Sequence, residues 1–347
     1  MTSWAKPEED RLTVVVLAGG RSSEHDVSLS SGEAVREGLL ALGHHVISVE
    51  IGRDGVWRSG DEQLSVTPGT GLLGADVAFP VLHGPFGEDG TVQGMLETLE
   101  VPFVGAGVAA SAVCLDKVLF KQLMSAEGIP QVDHVGVLED RWSQGREEVL
   151  EDVARLGLPV FVKPAHQGSS VGIVKVTSAQ DVAQALDGAF AHDRLAIVEA
   201  AAGGIEVECS VLGRLRGERA DGRPEAFASE PGQIVLAGEW YDFDAKYSQG
   251  GMRLTVPAPI SPAVAERVKE LALAAFVHSG CEGLARVDFF IDGEHVLVNE
   301  LNTMPGFTPT SVYAKLIEAS GIAYEELLDR LCRLALERRD ALRAYLY

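Results

Sequence analysis

The 347-residue chain is short of positive charge, and of lysine in particular. It has 51 acidic side chains against 29 basic ones, a net charge of −22, and eight of the basic residues are lysine. Nucleic acids and anionic membranes are bound by basic surfaces, so this balance argues against a general binder of either. An acidic protein that handles phosphates must concentrate its cations locally. Lys117, Lys163 and Lys246 fall beside glycine-rich or aromatic segments, where such a concentration is expected.

Cysteine is also scarce, and apolar runs are short. The four cysteines lack CxxC spacing and most lie among apolar neighbours, which is typical of small buried residues in a reducing compartment. No apolar run reaches membrane-spanning length, and the first ten residues do not look like a signal peptide. We therefore expect a cytoplasmic protein with no membrane partner. The cysteines are Cys114, Cys209, Cys281 and Cys332.

The first hundred residues alternate between strand and helix patterns. Residues 12–20 and 45–51 are predicted as strands, with a helix over 28–42 capped near Ser30 or Ser31. This alternation predicts a doubly wound α/β domain whose ligands lie at the carboxyl ends of the strands. No GxGxxG pattern follows the first strand, so a dinucleotide site is disfavoured.

Two polar residues follow predicted strands of this domain. Glu24 comes after the first strand, and its carboxylate is a candidate for binding a substrate ammonium, although a helix cap is the simpler alternative. His83 ends the strand over residues 76–83, before a glycine-rich loop and a helix starting near Thr91. It is a candidate anion-facing group, but a histidine at a strand end is more often structural.

A glycine- and serine-rich loop divides two predicted strands within residues 158–176. Lys163 precedes this loop, which contains Gly168, Ser169 and Ser170. Small residues allow backbone N–H groups to approach phosphate oxygens, and a lysine adds a point charge. The loop is not a Walker A motif, because GxxxxGK[ST] and a following helix are both missing. The alternative is a plain flexible hairpin.

The segments on either side of this loop are predicted as further helices and strands. Residues 132–135 and 195–199 are expected to be strands, and a linker separates the second of them from another strand. Such a linker suits an adenine, with Glu199 and Glu206 as acceptors for the adenine amine or ribose hydroxyls. The predicted helices cover residues 111–126, 142–156, 261–279 and 324–344.

Residues 238–251 are rich in aromatic and polar side chains without a regular period, which predicts a loop. A loop of this kind suits a lid that excludes water from a reacting phosphate. The alternative is an ordered surface loop packed by its own aromatic rings.

A β-hairpin is predicted over residues 284–301, with Asp292 and Gly293 at the turn. Arg286 and Asp288 are two residues apart and share a face, as do Glu300 and Asn302. If the strands pair, the faces coincide and place three oxygen ligands around one point, which suits Mg²⁺. A solvated face is the alternative, and the rigid turn that follows at 302–306 argues against it.

Six motifs in this order resemble those of the D-alanine–D-alanine ligase family within the ATP-grasp superfamily. The resemblance extends from Val14 to about Leu316. The motifs are residues 24–28 (EHDVS), 83–90 (HGPFGEDG), 163–172 (KPAHQGSSVG), 241–247 (YDFDAKY), 286–288 (RVD) and 300–306 (ELNTMPG).

The resemblance implies α/β and α+β architecture in three domains. An N-terminal doubly wound domain over 1–114 would bind the first substrate, and two α+β domains over 115–204 and 205–347 would clamp ATP. The implied reaction joins two D-alanines through an acyl phosphate, for peptidoglycan precursors. ATP and Mg²⁺ are the implied cofactors, with two metal ions and Mn²⁺ as a substitute. A homodimer is the implied assembly.

The resemblance also implies roles for individual residues. Asp288, Glu300 and Asn302 would hold the metal. ATP would be bound by Lys117, Lys163, Ser170, Glu199, Glu206 and Lys246. Catalysis would rest on Glu24, Ser169, Tyr247, Arg286 and the N–H of Gly306. The substrates would be bound by Glu24, His83, Arg286, Gly306 and Ser311.

Three other functions remain open on the sequence alone. The first is a D-alanine–D-lactate ligase, although Tyr247 favours the peptide-forming enzyme. The second is a different ATP-grasp ligase, which would not need Glu24 together with Ser311. The third is a catalytically inactive ATP-binding regulator, which would be expected to lack Arg286 or a metal ligand.

Overall fold

The computed structural model describes residues 10–169, 171–214, 225–236 and 252–345. In this part of the chain the strands form three sheets, which helices cover. The predicted α/β and α+β class is confirmed, because the first sheet is built around parallel strands and the other two are antiparallel.

The first sheet has the strand order β4-β3-β2-β1-β5, with a parallel centre and an antiparallel edge. Alternate residues of β1 (Thr13–Gly19) pack into different apolar cores on the two faces of the sheet. Val14 and Val16 lie in one core, and Val15 and Leu17 lie in the other. Both faces of the sheet are therefore buried, as parallel strands require. The strands are β1 Thr13–Gly19, β2 His45–Ile51, β3 Trp57–Ser59, β4 Glu62–Gln63 and β5 Val77–Pro80.

The first helix, α1 (His25–Ala41), begins three residues earlier than predicted, and its N-cap is Glu24. The capping prediction for Ser30 or Ser31 was therefore wrong. Serines in this helix are used for tertiary bonds instead. Ser28 accepts a hydrogen bond from the N–H of Gly19 at 2.8 Å and donates to the carbonyl of Val81. It thereby fixes the helix start against β1 and the end of β5.

The second sheet is antiparallel, with the order β6-β9-β7-β8. Its strands are β6 His134–Leu138, β7 Val160–Pro164, β8 Val174–Val176 and β9 Leu195–Ala200. The helices up to this sheet and beside it are α2 Thr91–Thr98, α3 Val108–Leu115, α4 Lys117–Ala126, α5 Glu139–Gln144, α6 Arg146–Ala154 and α7 Val182–Phe190.

Two helices predicted as continuous are each divided in two. The helix over 111–126 breaks at Asp116, whose backbone is extended and whose carboxylate caps α4. The helix over 142–156 breaks at Gly145, which has φ −150° and ψ 60°. Helix α7 was not predicted. Local hydrogen bonding by aspartate and the freedom of glycine interrupt a helical pattern that side-chain periodicity alone would continue.

The third sheet has the order β13-β12-β10-β14-β15, with β11 also paired to β10. Its strands are β10 Ile205–Gly213, β11 Phe227–Ala228, β12 Gly232–Leu236, β13 Met252–Thr255, β14 Gly283–Asp292 and β15 His295–Asn302. Helix α8 (Pro262–His278) starts as predicted after Ser261, whose hydroxyl accepts from the N–H of Val264 at 3.3 Å. This helix packs against the sheet through a shared apolar core.

The last two helices return the chain to its beginning. Helix α9 (Val312–Ala319) was not predicted, whereas α10 (Tyr324–Arg343) was. Leu327, Leu328 and Leu331 of α10 share a core with Val14 and Phe79 of the first sheet. The last described helix is therefore packed against the first sheet. Among the described helices, none combines the length and apolar character needed to cross a bilayer.

Candidate active site

The predicted hairpin is confirmed as β14 and β15. Arg286 lies opposite Asn302 and Asp288 opposite Glu300, so the two polar faces coincide. The turn is displaced by one residue, because Asp292 still pairs with His295. An irregularity in the pairing after Asp288 adds a residue to β15 and bends the hairpin beside the polar cluster.

Carboxylates already hold the guanidinium of Arg286. Its Nε and Nη2 donate to the two oxygens of Asp288, each at 2.7 Å, and Nε lies 2.9 Å from Oε2 of Glu208. Glu208 is opposite Asp288 on β10 and is buried. The sequence interpretation did not single out Glu208, although it lies two residues after Glu206 and therefore on the same face. A fork-shaped cation held on two sides is oriented before any substrate binds.

The donor set of this face fits a magnesium ion. Asp288 and Glu300 supply carboxylate oxygens, and Asn302 adds an amide whose Nδ2 donates to Asp288 Oδ2 at 3.1 Å. Across the described ranges, no group of three or more His, Cys, Asp or Glu residues could enclose a metal by itself. A site with two carboxylates and an amide suits Mg²⁺, which takes its remaining ligands from phosphates and water.

Two lysines converge on Glu199. Lys163 Nζ lies 2.5 Å from Glu199 Oε2, and Lys121 Nζ lies 2.9 Å from Oε1. Burial opposes ionisation of Glu199, but the two ammonium charges outweigh it and hold its pKa well below the usual range. Burial likewise opposes the charge on Lys163, yet Glu199 raises its pKa. Sequence reasoning missed Lys121, although it lies four residues after Lys117 on the same helical face.

The loop after Lys163 reaches the N-terminus of α1. The hydroxyl of Ser169 donates to Oε1 of Glu24, and Lys117 Nζ donates to the carbonyl of Gln167 at 2.7 Å. A Cβ on Gly84 would lie 2.7 Å from Glu24 Oε2, and one on Gly168 2.9 Å from it. Glycines on both sides therefore leave room for a buried carboxylate that faces the loop.

His83 joins the turn over residues 303–307 to α1. Its Nδ1 donates to the carbonyl of Met304 at 2.9 Å, and its Nε2 lies 3.4 Å from the hydroxyl of Ser31. Burial lowers the pKa of His83 and favours the neutral ring. A neutral ring brings no charge to an anion, so the geometry favours the structural alternative for this residue.

Glu88 makes a second connection to the same turn. Its Oε1 accepts from the N–H of Met304 at 3.1 Å and its Oε2 from that of Gly84 at 2.7 Å. Burial, together with the nearby charge of Glu24, raises the pKa of Glu88 to about 8. The sequence interpretation quoted its motif but gave it no role.

Gly306 and Ser311 lie at the far side of the turn. The hydroxyl of Ser311 accepts from the N–H of Thr308 at 3.0 Å, and a Cβ on Gly306 would lie 3.2 Å from that hydroxyl. A side chain at position 306 would therefore crowd Ser311, whereas glycine leaves both the hydroxyl and the backbone beside it open.

All of the predicted site residues that lie in the described ranges line one cleft with a volume of about 560 Å³. They are Glu24, His83, Lys117, Lys163, Ser169, Glu199, Glu206, Arg286, Asp288, Glu300, Asn302, Gly306 and Ser311. Ser170, Lys246, Tyr247 and the whole of the predicted lid loop over 238–251 lie outside the described residues. The cleft also includes Phe161, Met252 and Phe290, which give it apolar walls.

Comparison with known proteins gives consistent matches. Family models described as the N-terminus and the C-terminus of D-ala D-ala ligase match residues 13–71 with 62–106, and residues 123–333, respectively. A D-alanine–D-alanine ligase of Heliobacterium modesticaldum is 43% identical over 94% of this chain and 95% of its own. A D-alanine–D-alanine ligase of Deinococcus radiodurans is 43% identical, and the match covers 94% of this chain and 99% of that protein.

Solved structures agree with these matches. The D-alanine–D-alanine ligase from Coxiella burnetii has a TM-score of 0.83 at 33% identity, and the match covers 96% of this chain and 97% of that one. The VanG D-Ala:D-Ser ligase from Enterococcus faecalis has a TM-score of 0.82 at 31% identity, and the match covers 94% of this chain and 99% of that one.

Proposed function

Because the chain belongs to the D-alanine–D-alanine ligase family, we propose that it joins two D-alanines into D-alanyl-D-alanine while ATP is converted to ADP and phosphate. The observation that carries this proposal is the single cleft that contains Arg286, the oxygen-rich hairpin face, the lysines and Glu24. The depsipeptide alternative is not favoured, because the relatives are named D-alanine–D-alanine ligases.

In the first step, a carboxylate oxygen of one D-alanine attacks the γ-phosphorus of ATP, and the bond to ADP breaks. The product is an acyl phosphate. Glu24, held by Ser169, binds the ammonium of this D-alanine. Lys117 and Lys163 neutralise phosphate charge, assisted by Ser170 and Lys246. Phosphoryl transfer between anions depends on such positioning and charge neutralisation.

Binding of the nucleotide requires Lys163 to divide its charge between Glu199 and a phosphate. Lys121 allows this, because it remains on the other oxygen of Glu199 and is itself buried. Glu199 and Glu206 then accept hydrogen bonds from the adenine amine and the ribose hydroxyls. The apolar wall containing Phe161, Met252 and Phe290 packs against the adenine ring.

In the second step, the amine of a second D-alanine attacks the acyl carbonyl and loses a proton, and phosphate leaves with the oxygen that joined it to carbon. Arg286 and the N–H of Gly306 stabilise the oxyanion that forms in between. Ser311 binds the carboxylate of the second D-alanine, and His83 supports the substrate pocket by holding the adjacent turn.

Asp288, Glu300 and Asn302 would hold Mg²⁺, or Mn²⁺ in its place. Two bound ions would supply charge neutralisation for the β- and γ-phosphates. Glu208 Oε2 lies 2.9 Å from Arg286 Nε, so the guanidinium would keep one carboxylate partner if Asp288 took a metal. The chain itself therefore keeps the oxyanion donor in place while one of its two carboxylate partners changes role.

The arrangement of the chain is part of the same proposal. Domains over residues 1–114, 115–204 and 205–347 would surround the cleft, and Tyr247 with Lys246 would close it as part of the lid. A homodimer and a cytoplasmic location accord with an enzyme that makes a precursor of the cell wall.

Phosphate release from ATP and Mg²⁺ tests the proposal. We expect release when D-alanine is added, and none with L-alanine alone. D-Lactate or D-serine offered together with D-alanine measures the choice of second substrate, and D-alanine is expected to be preferred. Phosphate release that does not depend on D-alanine would rule out ligation, as would D-alanine-dependent release without dipeptide in the products.

A further inference from the structure

His166 lies in the segment between Lys163 and Ser169 with a carboxylate on each side of its ring. Its Nδ1 is 2.8 Å from Asp193 Oδ2, and its Nε2 is 3.2 Å from Asp116 Oδ2. Its backbone N–H donates to the same oxygen of Asp193 at 2.7 Å. The family resemblance assigned no role to this residue, although Lys163 before it and Gln167 after it line the cleft.

The two contacts together determine the protonation state of the ring. A neutral imidazole has one N–H, so a ring that donates to a carboxylate on each side must be an imidazolium. The hydrogen bonds to Asp116 and Asp193 raise the pKa of His166 to about 9. Burial opposes ionisation of both aspartates, but their bonds to the His166 ring and to backbone N–H groups outweigh it and lower their pKa values.

The same contacts belong to a network of hydrogen bonds around the loop that follows Lys163. Asp116 accepts from the N–H groups of Val118 and Leu119 at 3.0 and 2.9 Å, and so caps the helix that begins at Lys117. The backbone N–H of Lys117 donates to the carbonyl of Ala165 at 3.2 Å. Its ammonium donates to the carbonyl of Gln167. The lysine and the loop are thus joined on both sides of His166.

On the other side of the imidazole, Asp193 connects His166 to the second sheet. Its Oδ1 accepts from the N–H of Leu195, the first residue of β9, at 3.1 Å. The carbonyl of Leu195 accepts in turn from the N–H of Ala165 at 2.9 Å. The imidazolium therefore joins the start of α4, the loop that follows Lys163 and β9. The His166 side chain is 36% exposed, so it can exchange protons with solvent.

We propose that His166 is a positioning residue that joins Asp116 to Asp193 and so fixes the Lys117 ammonium relative to the Gly168–Ser169 loop, which sets the affinity for nucleotide phosphates. This role rests on the proposed function, because it requires that the cleft binds ATP. His166 touches neither substrate nor metal in this account. It acts through the geometry of the groups that do.

The role predicts a dependence on pH with a definite sign. The ordinary pKa of histidine is about 6.5, so the stabilising contribution of the imidazolium is complete below that pH. It is lost as the pH rises through about 9, where the folded ring loses its proton. Asp116 and Asp193 remain charged over this range. Nucleotide affinity should therefore fall in alkaline solution.

The test measures binding of a non-hydrolysable ATP analogue with Mg²⁺ in the absence of D-alanine, from about pH 7 to about pH 9.5. His166→Asn should bind about tenfold more weakly than wild type at the lower pH and show little further loss. His166→Arg keeps a permanent positive charge with donors on both sides, so it should bind the analogue well at both ends of the pH range. Any loss of affinity that it shows at high pH must come from groups other than residue 166. His45→Asn changes an exposed histidine of β2 and should match wild type.

An independent measurement is the NMR titration of the ring resonance that is absent from both His166→Asn and His166→Arg, so that either variant identifies it; its midpoint is expected near 9. A wild-type chain that does not bind the analogue overturns both the ligase assignment and this role. Binding by wild type and His166→Asn with equal constants overturns this role alone. If His166→Asn does not fold, the wild-type profile decides: a ring midpoint near 6.5 with flat affinity overturns the role.

Discussion

Two cations of the cleft, Arg286 and Lys163, are held by carboxylates before any ligand arrives. Arg286 is held by Asp288 and Glu208, and Glu199 is held by Lys163 and Lys121. Such pairs orient the side chains at a cost in desolvation, so their main benefit is a fixed geometry. Single substitutions at these positions should therefore separate effects on binding, on chemistry and on stability.

Replacement of Arg286 by alanine should affect chemistry more than nucleotide binding. Loss of one preorganised oxyanion donor typically lowers kcat by about 10²–10³-fold. Arg286→Lys should recover little, because an ammonium cannot make the two parallel bonds of the guanidinium fork. Steady-state kinetics and ATP-analogue binding measure the two effects. Arg214→Ala, which removes a surface arginine paired with Glu337, is the matched control. Near-normal turnover in Arg286→Ala would contradict the role.

Lys121 should matter for stability. It is 1% exposed and faces Glu199, so Lys121→Met leaves a buried carboxylate with one partner fewer. Breaking such a pair costs about 3–5 kcal/mol, which should lower the urea midpoint clearly. Arg330→Met, which removes an exposed partner of Glu326, should cost at most about 1 kcal/mol.

The double variant Lys121→Met with Glu199→Gln gives a further check. It should be no more stable than Lys121→Met alone, because Glu199→Gln removes the carboxylate that still compensates the buried ammonium of Lys163. Equal urea midpoints for Lys121→Met and Arg330→Met would show that the buried pair of Lys121 and Glu199 contributes no more to stability than an exposed pair does.

The residues that sequence reasoning found and missed differ in a physical way. Asp288, Glu300 and Asn302 were predictable, because strand periodicity and a tight turn determine which side chains share a face. Lys121, Glu88 and Glu208 were not assigned roles, since each gains its significance from a partner distant in sequence or from burial. Periodicity within one element does not report either quantity.

At the scale of elements, the linker between β9 and β10 depends on one backbone conformation. Gly204 has φ +85°, and a Cβ there would lie 1.9 Å from the carbonyl oxygen of Ile291 in β14. β10 pairs with β14 from its first residue onward. The linker therefore fits only if position 204 carries no side chain.

Gly204→Ala should displace the start of β10, lower the melting temperature and weaken nucleotide binding at the adjoining Glu206. Gly280→Ala is the matched control, because Gly280 has φ +71° with nothing within 4 Å of the added Cβ. Backbone strain alone costs about 1–2 kcal/mol. Thermal unfolding and ATP-analogue titration compare the two variants, and equal losses in both would refute the steric account.

Element boundaries show where local pattern stops being sufficient. The hairpin, the first two strands and two of the long helices, α8 and α10, were predicted almost to the residue, whereas the start of α1 was not. The breaks at Asp116 and Gly145, and the short helices α7 and α9, were not. The break at Asp116 depends on a side chain that competes for backbone hydrogen bonds, and the break at Gly145 on the backbone freedom of glycine. A helix of eight or nine residues has too few turns for a clear period.

At the scale of the whole molecule, the chain's last helix completes the core of its first sheet. Leu328 is fully buried, and a Cβ on Gly38 of α1 would lie 2.5 Å from its Cδ1. The hydroxyl of Tyr324, at the start of α10, donates to the carbonyl of Phe307 at 2.7 Å. The terminal helix therefore supports both the N-terminal core and the turn that carries Gly306.

Leu328→Ala should destabilise the molecule by about 2–5 kcal/mol, because it leaves a cavity between α1 and α10. Leu342→Ala changes a leucine that is 38% exposed on the same helix and should cost less than about 0.5 kcal/mol. Urea unfolding followed by circular dichroism measures both. Indistinguishable midpoints would mean that the end of the chain contributes little to the N-terminal core.

The fold as a whole serves to place one carboxylate against one γ-phosphate, and isotope transfer tests this most directly. D-Alanine labelled with ¹⁸O in its carboxylate is incubated with the protein, ATP and Mg²⁺, and the released phosphate is examined by mass spectrometry. If an acyl phosphate forms and is attacked by an amine, each phosphate carries one ¹⁸O derived from D-alanine. Phosphate that contains none, or that takes its new oxygen from solvent water, would contradict the account.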